Sequence, residues 1–156
     1  MSEGNSFARG PYFLAALLCE KVLNEADGVK SVIRIIDRVT RTVIGPDPPA
    51  EMEPFDYDLN LFARFKSGET GRGGYKLKLS VEKPSKEITR VGDQTIFFEG
   101  EEDRGVDVIV SVRIKFEMQG IYWFHLYLND VPLTKVPLRV LYLPQATQPG
   151  TFPPIR

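Results

Sequence analysis

An all-β fold, an antiparallel β-sandwich of about eight strands, follows from three features of the 156-residue sequence. Apolar and polar residues alternate with period two over several segments, the pattern of a strand with one buried face. The segments are short and rich in β-branched residues, and turn signals separate them at intervals of roughly 8–12 residues. No internal repeat points to a propeller or solenoid.

Residues 1–10 are small and polar and read as a disordered N-terminus. The sandwich domain is assigned to residues 11–143, and residues 144–156 read as an extended proline-rich tail. Within the domain, Tyr12 to Leu23 has a composition that also suits a helix ending at Gly28, but apolar residues on both parities favour a central strand. Asn24 to Val29, with Asp27-Gly28, is a turn, and the β-branched run Ser31 to Thr42 reads as one partner strand. The prolines between Gly45 and Pro54 make a loop crossing between layers, because proline lacks the amide donor and restricts its predecessor. Leu59 to Phe65 and Tyr75 to Glu82 alternate as two strands, joined by a hairpin loop carrying Gly68, Gly71, Gly73 and Gly74. Lys83 to Asp93 reads as a polar connection, Ile96 to Phe98 as a short buried strand and Glu99 to Asp103 as an acidic loop. Leu138, Val140 and Tyr142 mark the last strand, and Pro137 confines its start to a sheet edge.

The clearest alternation lies between Gly105 and Leu128. Val106, Val108, Val110, Val112, Ile114, Phe116 and Met118 present one face, and Tyr122, Phe124, Leu126 and Leu128 continue it. An odd-numbered turn, Met118-Gln119-Gly120 with Gly120 at positive φ, would make these two segments a hairpin with a glycine bulge. That register places Ser111 opposite Tyr127, Arg113 opposite His125 and Lys115 opposite Trp123 on the outward face. Cross-strand pairs of this kind contribute roughly 0.2–1 kcal/mol each, and a cation over an exposed ring roughly 0.5–1 kcal/mol. The plain alternative is a solvated sheet face, or one covered by the tail.

Hydrophobic content of 42%, charged content of 26% and a net charge of −1 describe one ordinary globular domain, without the basic excess that phosphate-backbone binders use. Nucleic acid is therefore not expected as a partner. The single Cys19 excludes an intramolecular disulfide and fits a reducing compartment. The apolar run Tyr12 to Leu18 after Arg9 is too short for a signal core, Leu18 is too large to precede a cleavage site, and no run of about 18 apolar residues could span a bilayer. A cytoplasmic protein without membrane partners is the expectation.

Catalysis by a nucleophile needs a base and an orienting group within reach. His125 is the only histidine, and the hairpin register gives it a cation, Arg113, and a diagonal Ser111 without a carboxylate. No enzyme is expected, and Cys19 reads as a buried structural thiol. One histidine and one cysteine cannot form a zinc site unaided. Glu99, Glu101, Glu102, Asp103 and Asp107 leave calcium open, though their spacing matches no EF-hand. The glycine-rich loop lacks a Gly-Lys-Ser/Thr ending and leads into a strand, so it is no phosphate loop. No cofactor is expected. The segment Phe152-Pro153-Pro154-Ile155 could dock on an aromatic groove as an extended peptide.

Leu17-Leu18-Cys19-Glu20 leading through Gly28 into Ile33-Arg34-Ile35-Ile36-Asp37, together with Gly120-Ile121-Tyr122-Trp123-Phe124 and Val136-Pro137-Leu138, resembles a family of small uncharacterised bacterial proteins classed as a domain of unknown function. The similarity covers most of Ala15 to Leu143. The second passage is also similar to the closing strands of immunoglobulin-like sandwich modules. The resemblance implies a strand at Tyr12 to Leu23 and a bacterial cytoplasmic origin, and carries over no activity.

The expectation is thus a non-enzymatic module that contacts another protein, or a second copy of itself, through Arg113, Lys115, Trp123, His125, Tyr127 and Arg139. Aromatics and arginine are enriched at interface hot spots. The alternative is a small-molecule binder, in which the rings stack on a base or sugar and the cations pair with an anion such as a nucleotide phosphate.

Overall fold

The structure, a computed structural model, describes residues 7–44 and 53–145. Its elements are nine strands: β1 (Tyr12–Asn24), β2 (Lys30–Ile35), β3 (Arg38–Ile44), β4 (Phe55–Lys66), β5 (Arg72–Glu82), β6 (Ile88–Glu99), β7 (Gly105–Phe116), β8 (Gly120–Leu128) and β9 (Val131–Gln145). They form a four-stranded sheet in the order β2-β1-β4-β7 and a five-stranded sheet in the order β3-β9-β8-β5-β6. The sequence-predicted all-β class and the strand at Tyr12 to Leu23 hold. The purely antiparallel arrangement does not, because β3 runs parallel to β9, making the second sheet mixed, and that sheet curls into a half-barrel.

The ninth strand comes from Ser31 to Thr42, expected as one strand and divided by Ile36-Asp37 between two sheets. The Ile36 amide donates to the Leu18 carbonyl of β1 at 2.8 Å, and the Arg139 amide of β9 donates to the Asp37 carbonyl at 3.1 Å. Two residues therefore hand the chain from one layer to the other. Neither is glycine or proline, so the break has no local turn chemistry to announce it.

One core joins the layers. Leu59, Leu61, Ala63 and Phe65 of β4 and Val108, Val110, Val112 and Ile114 of β7 face Leu77, Leu79 and Val81 of β5 and Phe124, Leu126 and Leu128 of β8. At one end Phe116 and Tyr122 meet edge to face, with ring centroids 4.9 Å apart and Phe55 close by. The layers also approach where the edge strands β6 and β7 lie side by side and where β1 meets β9. A bulge at Val91 lets Gly92 lie against Val110, where a Cβ would come within 2.7 Å of Cγ1.

The expected hairpin between Gly105–Phe116 and Gly120–Leu128 is not formed. The inward and outward faces are those that parity predicts, but β7 pairs with β4, β8 pairs with β5 and β9, and Glu117 to Gln119 crosses between sheets. An odd-numbered crossing keeps the same residues facing the core as an odd-numbered hairpin would, so parity alone cannot distinguish them. Gly120 does take a positive φ, 136°. Tyr122 fixes the crossing: its hydroxyl donates to the Met118 carbonyl at 3.0 Å and accepts from the amides of Glu117 and Met118 at 3.3 Å. This is a tie of the tyrosine-corner kind.

Two polar segments hold more strand than their composition shows. Lys83 to Asp93 contains a tight turn, in which the Lys83 amide donates to the Glu87 carbonyl at 2.8 Å, and then the first half of β6. Apart from the half-buried Val91, its side chains are exposed, as an edge strand tolerates. β9 begins at Val131, and β3 joins it only from Arg139, so Pro132 and Pro137 lie in the stretch with a free edge. The proline rule is thus obeyed within a longer strand. The loop read between Gly45 and Pro54 lies mostly outside the described residues, as do residues 1–6 and 146–156, including Phe152 to Ile155.

Two measurements check this packing. Tyr122→Phe leaves three part-buried backbone groups at the crossing without their partner, and the unfolding free energy in urea should fall by about 1–3 kcal/mol. Cys19 is fully buried in β1, and burial pushes its thiol up from its ordinary range. Disulfide-exchange reagents should label it completely in denaturant and only slowly in the native protein, since the thiolate is the reactive form. Rapid native labelling would contradict a central β1.

Candidate interaction surface

Strand β8 builds the surface because its odd residues face away from the core. Trp123, His125 and Tyr127 stand in a row, each half-buried between neighbours on β5 and β9. Across the sheet, Glu82, Trp123 and Pro137 form one line, Ser80, His125 and Lys135 the next, and Lys78, Tyr127 and Pro132 a third. Arg139, opposite Ile121, stands exposed beyond the tryptophan.

Side chains on this face hold one another. His125 Nε2 lies 3.1 Å from Glu82 Oε2, and the two side chains are 22% and 20% exposed. The imidazole and the Tyr127 ring stack with centroids 6.4 Å apart, and Lys135 Nζ sits 4.4 Å from the centroid of Trp123. Lys78 bonds Asp130, and its ammonium holds that carboxyl below the usual range. Next to Lys78 a shallow groove of about 260 Å³ is lined by Lys76, Arg90, Asp93, Gln94 and Thr95.

Four of the six sequence-predicted residues therefore share a face: Trp123, His125, Tyr127 and Arg139. Arg113 and Lys115 do not join them. They lie on the outside of the other sheet, where Arg113 is opposite Asp58 and its Nε is 3.4 Å from the carboxylate, and Lys115 is opposite Asp56. The cation beside the histidine row is Lys135, and the expected Arg113–His125 contact is replaced by Glu82. Pro132 was reachable from sequence through the two-residue hairpin Asn129-Asp130, whose φ values of 47° and 63° fit a type I′ turn, but Lys135 and Pro137 reach this face only because β9 bulges at Leu133 and shifts the register by one residue. Glu82 carried no such signal, because the β5–β8 pairing is non-local.

The acidic loop is interleaved with arginine. Arg104 pairs with Glu99 and, at 2.8 Å, with Glu101, while Arg64 forks onto Asp107 at 2.6 and 2.9 Å. Among the described residues no group of three histidine, cysteine or carboxylate side chains gathers to hold a metal. No described helix is long and apolar enough to cross a membrane.

No curated protein matches the chain. The model of DUF6941, a family of unknown function, matches residues 14–141, from the start of β1 into β9. By that match over most of its length, the chain belongs to this family of unknown function.

Proposed function

We propose that the protein is a non-enzymatic interaction module of the bacterial cytoplasm that binds a protein partner through the outer face of β8 and its neighbours. The observation that carries this reading is the contiguous row Trp123, His125 and Tyr127, flanked by Pro132 and Pro137. Trp and Tyr present large amphipathic area at low entropic cost, and contacts of this type dominate interface energetics. Two facing sheets and the Tyr122 tie support an immunoglobulin-like module. A buried, unpaired Cys19 supports a reducing compartment.

The histidine environment favours binding over catalysis. Ser80 lies opposite His125 and Glu82 orients the ring, yet Ser80 makes no hydrogen bond to it. On the middle of a sheet, the β8 amides are committed to β5 and β9. An oxyanion formed there would meet no free backbone donors. The groove beside Lys78 supports a second reading, in which Lys76, Lys78 and Arg90 take a nucleotide phosphate or another anion.

A Trp123→Ala, Tyr127→Ala double variant should keep its circular-dichroism spectrum and lose the partners that wild type captures from its native cell extract. Loss of about 2 kcal/mol or more, roughly thirtyfold in Kd, is the expected effect on an isolated partner. Retention of every partner and of the oligomeric state would contradict the reading. A thermal-shift panel of nucleotides and simple anions separates the second reading: a bound ligand raises the midpoint by mass action, and a flat panel disfavours it.

A further inference from the structure

The two sheets differ in how their arginines are used. On the first sheet the arginines are paired, Arg34 with Glu20, Arg64 with Asp107 and Arg113 with Asp58, while Lys21, Lys66 and Lys115 have no carboxylate partner among the described residues. On the second, parity puts Arg38, Lys76, Lys78, Arg90, Lys135 and Arg139 on the same side as the rings. Against them stand Glu82, held by His125, Asp93, 3.4 Å from Arg90, Asp130, on Lys78, and Glu99, held by Arg104. Arg38, Lys76, Lys135 and Arg139 have no carboxylate partner among the described residues. A chain of net charge −1 thus carries a positive field on one face.

The cations lie on both flanks of the ring row. Arg38 and Arg139, paired across β3 and β9, stand on one side with Lys135, while Lys76, Lys78 and Arg90 line the groove on the other. From β3 to β6 the face spans roughly 19 Å, the width of five strands. That is enough to seat an extended segment along β8 with side chains reaching either flank.

We propose that the partner of this face is an acidic protein segment, with an apolar anchor packed beside Trp123 and Tyr127 without needing their open ring faces, and carboxylates on both sides of it. The proposal rests on the reading of the β8 face as a binding surface and names its partner class. Carboxylates complete the pairing that the chain leaves open, with Arg139 and Arg38 able to grip them bidentately. A single strand of nucleic acid fits less well. Base stacking needs open ring faces, whereas Lys135 caps Trp123, and His125 and Tyr127 stack on each other.

A randomised peptide display library panned on the full chain tests the proposal, with a random single-stranded DNA pool in parallel. The expected result is enrichment of peptides with surplus Asp and Glu around an apolar residue. Trp123, the only tryptophan, reports their binding by fluorescence. Wild-type affinity should fall as salt rises, and at low salt a Lys76→Glu, Arg139→Glu variant should bind about tenfold or more weakly and with a smaller salt dependence. No enrichment, enrichment of neutral or basic peptides, or retention of the DNA pool in place of peptides would overturn it. Non-acidic peptides that bind wild type and lose binding with Trp123→Ala, Tyr127→Ala overturn this inference and leave the binding face intact. Peptides that ignore the ring substitutions count against the face itself.

Discussion

The hydroxyl of Tyr122 makes three hydrogen bonds to the backbone between β7 and β8, and the placement of both outer faces depends on that tie. It lets the chain leave one sheet and enter the other within three residues while every even side chain still points to the core. Phe116 and Tyr122, packed edge to face at the crossing, add the apolar weight that keeps the phenol dry. Because the crossing sends β8 into the second sheet, its rings gain Glu82 and Lys135 as neighbours. Because it leaves β7 in the first, Arg113 and Lys115 lie among Asp58 and Asp56.

That division separates two kinds of surface. On the first sheet, arginines meet carboxylates across neighbouring strands, as sheet pairs ordinarily do. Outside the second, the rings stand in a row and several cations keep no partner. The difference is one of use more than composition, since both faces carry arginine or lysine at alternate positions.

What could be read from sequence was orientation, and what could not was adjacency. The alternation of Val108 to Phe116 and of Tyr122 to Leu128 is a local consequence of the pleat, so burial followed from it. The identity of the neighbouring strand depends on distant segments: His125 meets Ser80 and Glu82 from more than forty positions away. Parity is preserved whether the chain turns back or crosses over, which is why a hairpin was expected and a crossing found. The same reason hid the division at Ile36-Asp37, where a β-branched run continues through a change of sheet. The parallel β3–β9 pair, linking residues about a hundred positions apart, has no local mark at all. The Asn129-Asp130 turn was legible by its chemistry, but that turn alone would set Lys135 opposite Phe124, and it is the one-residue bulge at Leu133 that brings it to the side of Trp123.

The central claim is that the ring row of β8 is bordered by β5 and β9. Cross-strand proton–proton contacts measured by nuclear Overhauser spectroscopy test it most directly. The account predicts backbone contacts joining His125 to Ser80 on one side and to Lys135 on the other, with Arg113 in contact with Asp58. Backbone contacts between Arg113 and His125, or between Lys115 and Trp123, would restore the hairpin and contradict it.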